Sequence, residues 1–360
     1  MYCRFGMKIL YYVSSHGYGH ISRSYEIIRK LVSSSAVHSV TIASDRIDFI
    51  QDNPTKISLR KASLDVGVFQ RDSISLDVDV TLQHLEAFEK NKNSLMEAEA
   101  EYAIQKDFDL IISDSASLPF IIGIEAKIPT IFIGNFTWDY IYSNFGKYNP
   151  NFSVIANILK IEYSFATSAF ILPFHCPMDG FMEMHKVGLV GRRSNLDKES
   201  ARAKFKFNKH KKYFLFSFGA YGLKDIVWNW ESIPDDWIIV CSELAGFESD
   251  QILNIPQTYY PDLVRAVDFV VTKPGYGIIS ESIYAETPII YTDRGDFAEY
   301  PHLVQTLEKS HPSSYISQTD LLRFSFSESI AKIQDTDRNK LAKLALNGES
   351  DILALILQIF

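Results

Sequence analysis

Apolar runs of strand length recur along the chain, and a turn followed by helically spaced apolar positions comes after several of them. In the first half they cover residues 8–14, 39–43, 109–113 and 130–134. In the second half they cover 213–217, 237–241, 269–272 and 289–292. Helical spacing marks 21–32, with Tyr25, Ile28 and Val32 on one face, then 120–126, and the stretch containing Ile279, Ile283 and Tyr284. Near-continuous apolar strands alternating with helices predict an α/β protein whose parallel sheets are covered on both faces. Residues 65–106 break the alternation. They are acidic and partly helical, and read as an excursion over the open end of the first sheet.

The alternation restarts after a composition change at 149–193. With 360 residues, two domains are expected. The assignment is 1–170 for a first Rossmann-like domain and 171–345 for a second. Residues 346–360 form a terminal apolar helix expected to pack back on the first domain. Two such domains would face each other across a cleft at the carboxyl ends of their strands, where open α/β sheets bind ligands.

Two glycine turns point at that cleft. In the second half, Gly275-Tyr276-Gly277-Ile278, preceded by Lys273, lies between a strand and a helix. Glycines let a ligand approach the backbone, and the first amides of the helix attract anions. Glu281 lies about one turn further on, in reach of a ribose. A tight turn with a solvated glutamate is the plain alternative. In the first half, Gly17-Tyr18-Gly19-His20-Ile21-Ser22-Arg23 occupies the same place. Gly17, Gly19 and Ser22 fit a dinucleotide fingerprint imperfectly, with Asp45 as its downstream acid. A histidine at this spot suits proton transfer better, and Asp114, at the end of a later strand, is placed to orient it. The alternative leaves His20 as a polar helix-start residue and Asp114 as a cap. His16 and His20 have metal-like spacing but no third ligand, so no metal site is expected. Asp77-Val78-Asp79 reads as a solvated acidic loop, and no Walker phosphate loop is present. The aromatic cluster Asn135-Phe136-Thr137-Trp138-Asp139-Tyr140 follows a strand and so faces the cleft, as acceptor surface or as packing.

The net charge of −8 argues against a nucleic-acid partner. Cys3, Cys176 and Cys241 match no disulfide or zinc spacing, and no apolar run approaches membrane-spanning length. With no secretory leader legible, a cytoplasmic location is expected.

Most of the chain, from about 7 to about 325, resembles the N-terminal glycosyltransferase-like region of plant L-arabinokinases. The resemblance is carried by residues 17–23, by Leu64-Asp65-Val66-Gly67 with Gln70, by 135–142, by Cys176-Pro177-Met178 and by the stretch from Gly275 to Pro301. No counterpart of the kinase half is legible, so sugar kinase activity is not expected. More distantly the chain looks like the GT-B superfamily, including the enzyme that adds N-acetylglucosamine to a lipid-linked peptidoglycan precursor. That resemblance implies two Rossmann-like domains, with a nucleotide sugar on the second and an acceptor on the first. It places the phosphates at Gly219 and 275–277, the base near Ser242 and Tyr260, the ribose at Glu281, and the donor sugar near Asp296 and Glu299. His20 becomes the general base, paired with Asp114. Gly17, Tyr18, Gly19, Arg23, Asn135, Trp138 and Asp139 fall on the acceptor side. In the superfamily the acidic-polar pair of the sugar loop is usually adjacent; here Asp296 and Glu299 are spaced apart. A metal-independent, inverting transferase is implied, with no cofactor and a UDP-sugar as favoured co-substrate. A nucleotide-sugar hydrolase with a similar Gly-His-x-x-Arg start, and a non-catalytic binding module, are the competing readings. The acceptor, the oligomeric state and any peripheral membrane contact are left open.

Overall fold

A computed structural model describes residues 6–50, 54–70, 76–219, 228–229, 232–242, 249–256 and 258–360. The strands are β1 (Met7–Val13), β2 (Val37–Ala43), β3 (Ile57–Arg60), β4 (Leu110–Asp114), β5 (Thr130–Gly134), β6 (Ser168–Ile171), β7 (Met184–Lys186), β8 (Lys212–Ser217), β9 (Trp237–Cys241), β10 (Ile252–Asn254), β11 (Phe269–Thr272), β12 (Ile289–Tyr291) and β13 (Ser313–Tyr315). They form two sheets. The first has order β3-β2-β1-β4-β5-β6-β7 and the second β10-β9-β8-β11-β12-β13. Neighbouring strands run parallel throughout both. A parallel sheet is buried on both faces, which is why the strands read as unbroken apolar runs. All five residues of β4, β5 and β9 are buried.

Strand order reverses between β1 and β4 in one sheet and between β8 and β11 in the other. These are the crevices where open α/β sheets accept ligands. Val13 pairs with Asp114 at the first, and Thr272 with Ser217 at the second. Helix α1 (Tyr18–Val32) leaves the first crevice. Eight of its residues are buried, Ile21, Ile27, Ile28 and Leu31 against the sheet.

The excursion is more ordered than the sequence suggests. It contains the 29-residue helix α2 (Val78–Lys106). Asp77 caps that helix, its side chain accepting from the Val80 amide at 3.1 Å. The Asp77-Val78-Asp79 acids are therefore a helix start rather than a loop, because a carboxylate satisfies the free first-turn amides. The other helices of the first half are α3 (Leu118–Ala126), α4 (Trp138–Phe145) and α5 (Asn151–Tyr163). After them come α6 (Lys198–Lys204), α7 (Tyr260–Ala266), α8 (Tyr276–Ala285), α9 (Tyr300–Ser310), α10 (Gln318–Leu322), α11 (Ser327–Gln334) and α12 (Gly348–Ile359). α12 packs against α1. Ile352 and Ile356 are fully buried in an apolar cluster that also holds Ile21 of the first half and Ile279 of the second. Each such buried side chain contributes roughly 1.5–3 kcal/mol, so the terminal helix ties the two halves together.

Candidate active site

The two crevices open into one cleft of about 950 Å³ between the sheets. α1 and α8 meet there start to start. A Cβ on Gly277 would stand 3.8 Å from the Gly19 Cα. Neither helix start has a side-chain cap or an acidic residue in its first turn. Their first amides are thus free of carboxylate competition, and the two helix dipoles add in the cleft. Gly17 holds φ at +77°, a conformation that glycine adopts without cost.

His20, the third residue of α1, is nearly buried at the cleft wall. Its Nδ1 lies 3.1 Å from Asp114 Oδ1. Asp114 is fully buried. Burial alone would raise its pKa, but Arg23 and His20 outweigh it and hold the carboxyl well below the usual range. An ionised carboxylate only accepts, so His20 donates from Nδ1 and Nε2 is left as the basic nitrogen. Asp114 also accepts from Arg23 Nη2 at 2.6 Å, Ser24 Oγ at 2.7 Å and Ser115 Oγ at 3.0 Å. The carboxylate is saturated, and the ring it orients is fixed.

The network then crosses the cleft. Arg23 Nη1 donates to Asn135 Oδ1 at 2.5 Å. Asn135 Nδ2 donates to Glu299 Oε1 at 2.7 Å, and Glu299 Oε2 accepts from Arg294 at 3.0 Å. Arg23 also lies over the Tyr276 ring, 5.0 Å from its centroid. Asn135 and Glu299 are both buried.

On the opposite wall Glu281 is buried and accepts from Arg192 Nε at 2.7 Å and Nη2 at 2.6 Å, both on Oε1. Burial raises its pKa and Arg192 opposes this. Gly219, Ser242, Tyr260, Lys273, Gly275, Tyr276, Gly277 and Ile278 line the same wall. Residues 220–222 of the glycine turn after β8 lie outside the described residues. His16 faces the cleft between these groups. Burial, then His20, Arg294, Lys273 and Arg46, pushes its pKa down to about 3. Arg23, Arg46, Arg192, Lys273 and Arg294 line the cleft together with Asp45, Asp65, Glu281 and Glu299.

The fold is GT-B. The glycotransferase of kitacinnamycin superposes with a TM-score of 0.66 at 16% identity, over 98% of this chain and 99% of that one. A UDP-glucosyltransferase from Polygonum tinctorium capable of glucosylating indoxyl gives 0.65 at 12%, over 99% of each chain. Arabidopsis thaliana UGT89C1 complexed with UDP gives 0.65 at 12%, over 98% of each. In sequence, L-arabinokinase of Arabidopsis thaliana is 29% identical over 322 residues. That match covers 87% of this chain but 30% of the kinase, so the chain spans under a third of that relative's length. No family model matches.

Within this GT-B cleft the anticipated residues separate into groups. Gly17, Tyr18, Gly19, His20, Arg23, Asn135 and Glu299 line it together with the second-half residues above, and Asp114 stands directly behind His20. Three others lie elsewhere. Asp296 is exposed and does not line the cleft; it pairs with Lys147 Nζ at 2.5 Å and accepts from Tyr148 Oη at 2.5 Å. Trp138 is buried in an aromatic core with Phe136 and Tyr142. Asp139 is on α4, away from the cleft lining, and burial raises its pKa. Arg192 and Arg294 carry no sequence signal, because their partners Glu281 and Glu299 identify them only in three dimensions. Among the described residues, no three His, Cys, Asp or Glu side chains gather as metal ligands.

Proposed function

We propose that this protein is a glycosyltransferase that moves a sugar from a UDP-sugar to an acceptor hydroxyl. The observation that carries the reading is the His20–Asp114 pair, 3.1 Å apart, standing at the start of α1 against the uncapped start of α8. His20 Nε2 takes the proton from the acceptor hydroxyl as the oxygen attacks the anomeric carbon. Asp114 holds the ring in the productive tautomer. The diphosphate leaves toward the amides of 275–278 and Lys273, which stabilise its developing charge without a metal. Direct attack on the face opposite the leaving group inverts the anomeric centre. Glu281 keeps one carboxylate oxygen for the ribose, the other being held by Arg192. With Asp296 turned outward, Glu299 is the acid of that loop that lines the cleft near the donor sugar. Residues 1–170 then form the acceptor domain and 171–345 the donor domain, with 346–360 as the tie between them. The UDP bound by the Arabidopsis structural relative supports the choice of base.

A thermal-shift screen against nucleoside diphosphates and their sugars, without metal, tests the reading. Ligand at about 100 times its Kd stabilises a fold by roughly 2.7 kcal/mol. The expected result is a shift with UDP and UDP-sugars. Absence of a shift with every nucleotide contradicts the proposal. UDP release in the absence of any acceptor separates hydrolysis from transfer.

A further inference from the structure

The first-domain wall beside His20 carries two polar groups that the proposed chemistry does not use. Asp65, in the stretch between β3 and α2, lines the cleft. Its carboxylate accepts from the Trp138 indole at 2.9 Å. Burial raises its pKa, and the Ser14 hydroxyl, Trp138, the nearby His20 and the Ser15 amide oppose that rise. A carboxylate has about four lone-pair positions, and the Trp138 indole takes one of them, which leaves room for a ligand hydroxyl. His16 stands next to it, its ring 5.2 Å from that of Trp138 and 6.4 Å from that of His20. Its Nδ1 accepts from the Val68 amide at 3.3 Å. Its proton is therefore on Nε2, which has no protein partner among the described residues. His16 is a neutral donor and Asp65 an acceptor, both beside the base.

We propose that this corner is the acceptor subsite and that it takes a small uncharged polyhydroxylated molecule, a free sugar or polyol. One hydroxyl donates to Asp65, a neighbouring one accepts from His16 Nε2, and the next faces His20. A flat phenol offers a single hydroxyl and would strand both Asp65 and His16, and unpaired polar groups at a site discriminate strongly against such a ligand. A carboxylate or phosphate group cannot replace the hydroxyl that donates to Asp65, because it only accepts. The inference rests on the glycosyltransferase reading for the role of His20, but the binding of a polyol by Asp65 and His16 stands on its own geometry.

The test uses the full chain and two acceptor panels, free pentoses, hexoses and linear polyols against simple phenols. Binding is read by calorimetry with and without UDP, and transfer by UDP release from UDP-sugars. Saturable binding and transfer are expected from the sugar panel. Asp65→Asn keeps an acceptor for Trp138, and His16→Phe keeps the ring packing. Each should raise the acceptor KM or Kd about ten- to a hundredfold, as loss of a hydrogen bond to a charged or buried partner does. UDP affinity in both variants reports that they fold. Transfer to phenols but not to sugars, or an unchanged sugar affinity in Asp65→Asn, overturns the subsite. Sugar binding without any UDP binding retains the subsite and overturns the transferase reading. UDP binding without sugar binding or transfer overturns the subsite alone.

Discussion

The helix starts that face each other across the cleft carry the same pattern. Gly17-Tyr18-Gly19-His20-Ile21-Ser22 stands opposite Gly275-Tyr276-Gly277-Ile278-Ile279-Ser280. In each, the serine hydroxyl donates back to the second glycine's carbonyl, at 3.1 Å and 2.8 Å. The backbone device is shared, and the side chains set the two apart. The fourth residue is His20 on one side, held by a buried carboxylate, and Ile278 on the other. The second residue is Tyr18, 42% exposed, on one side and Tyr276, 7% exposed under Arg23, on the other. On the proposed reading, one start serves proton transfer and the other holds the diphosphate with its backbone amides and Lys273.

Removing the Asp114 carboxylate should have the largest effect. Asp114→Ala leaves Arg23 buried without its counter-ion, and stability should fall by about 3–5 kcal/mol in denaturant titrations. Turnover should be lost with it. The tyrosines should separate next. Tyr276→Ala opens a cavity beneath Arg23 and frees the Val190 amide that its hydroxyl receives. A loss of about 3 kcal/mol is expected, against about 0.5 kcal/mol or less for Tyr18→Ala.

How far the sequence reached follows from the same contrast. The strand-turn-helix units are local, so the apolar runs and glycine turns placed β1, β4, β8 and β11 to within a residue or two. The first helix begins at Tyr18 rather than 21, because Gly17 caps it by conformation and not by a side-chain signal. β3 is four residues with only partial burial, too short to read. His20 and Asp114, 94 residues apart, could be linked because both lie at strand ends of one sheet. The contacts of Asp296 were not legible, because its partners Lys147 and Tyr148 come from the other half of the chain. Trp138 is an aromatic after a strand whether it faces ligand or core, and only packing decides.

Smaller effects sharpen the division. Glu281→Ala should weaken UDP binding about tenfold by calorimetry, the cost of one good hydrogen bond to a polar ligand. Acid should act through both halves. Burial holds His16 at about 3 and His311 at about 4 in the fold, against about 6.5 when unfolded. The unfolded chain therefore takes up protons that the fold refuses. Stability should be full above about pH 6.5 and decline as pH falls from there toward 4. Denaturation midpoints at pH 7.5 and 5 measure it, and His16→Phe should flatten part of the slope.

The division of labour between the two helix starts is tested most directly by His20→Ala, assayed for turnover of a UDP-sugar and for UDP affinity in the same preparation. General-base help typically contributes on the order of 10²–10⁴-fold. A fall in kcat of that size with the UDP Kd unchanged is expected. An unchanged kcat, or a loss confined to UDP affinity, would contradict it.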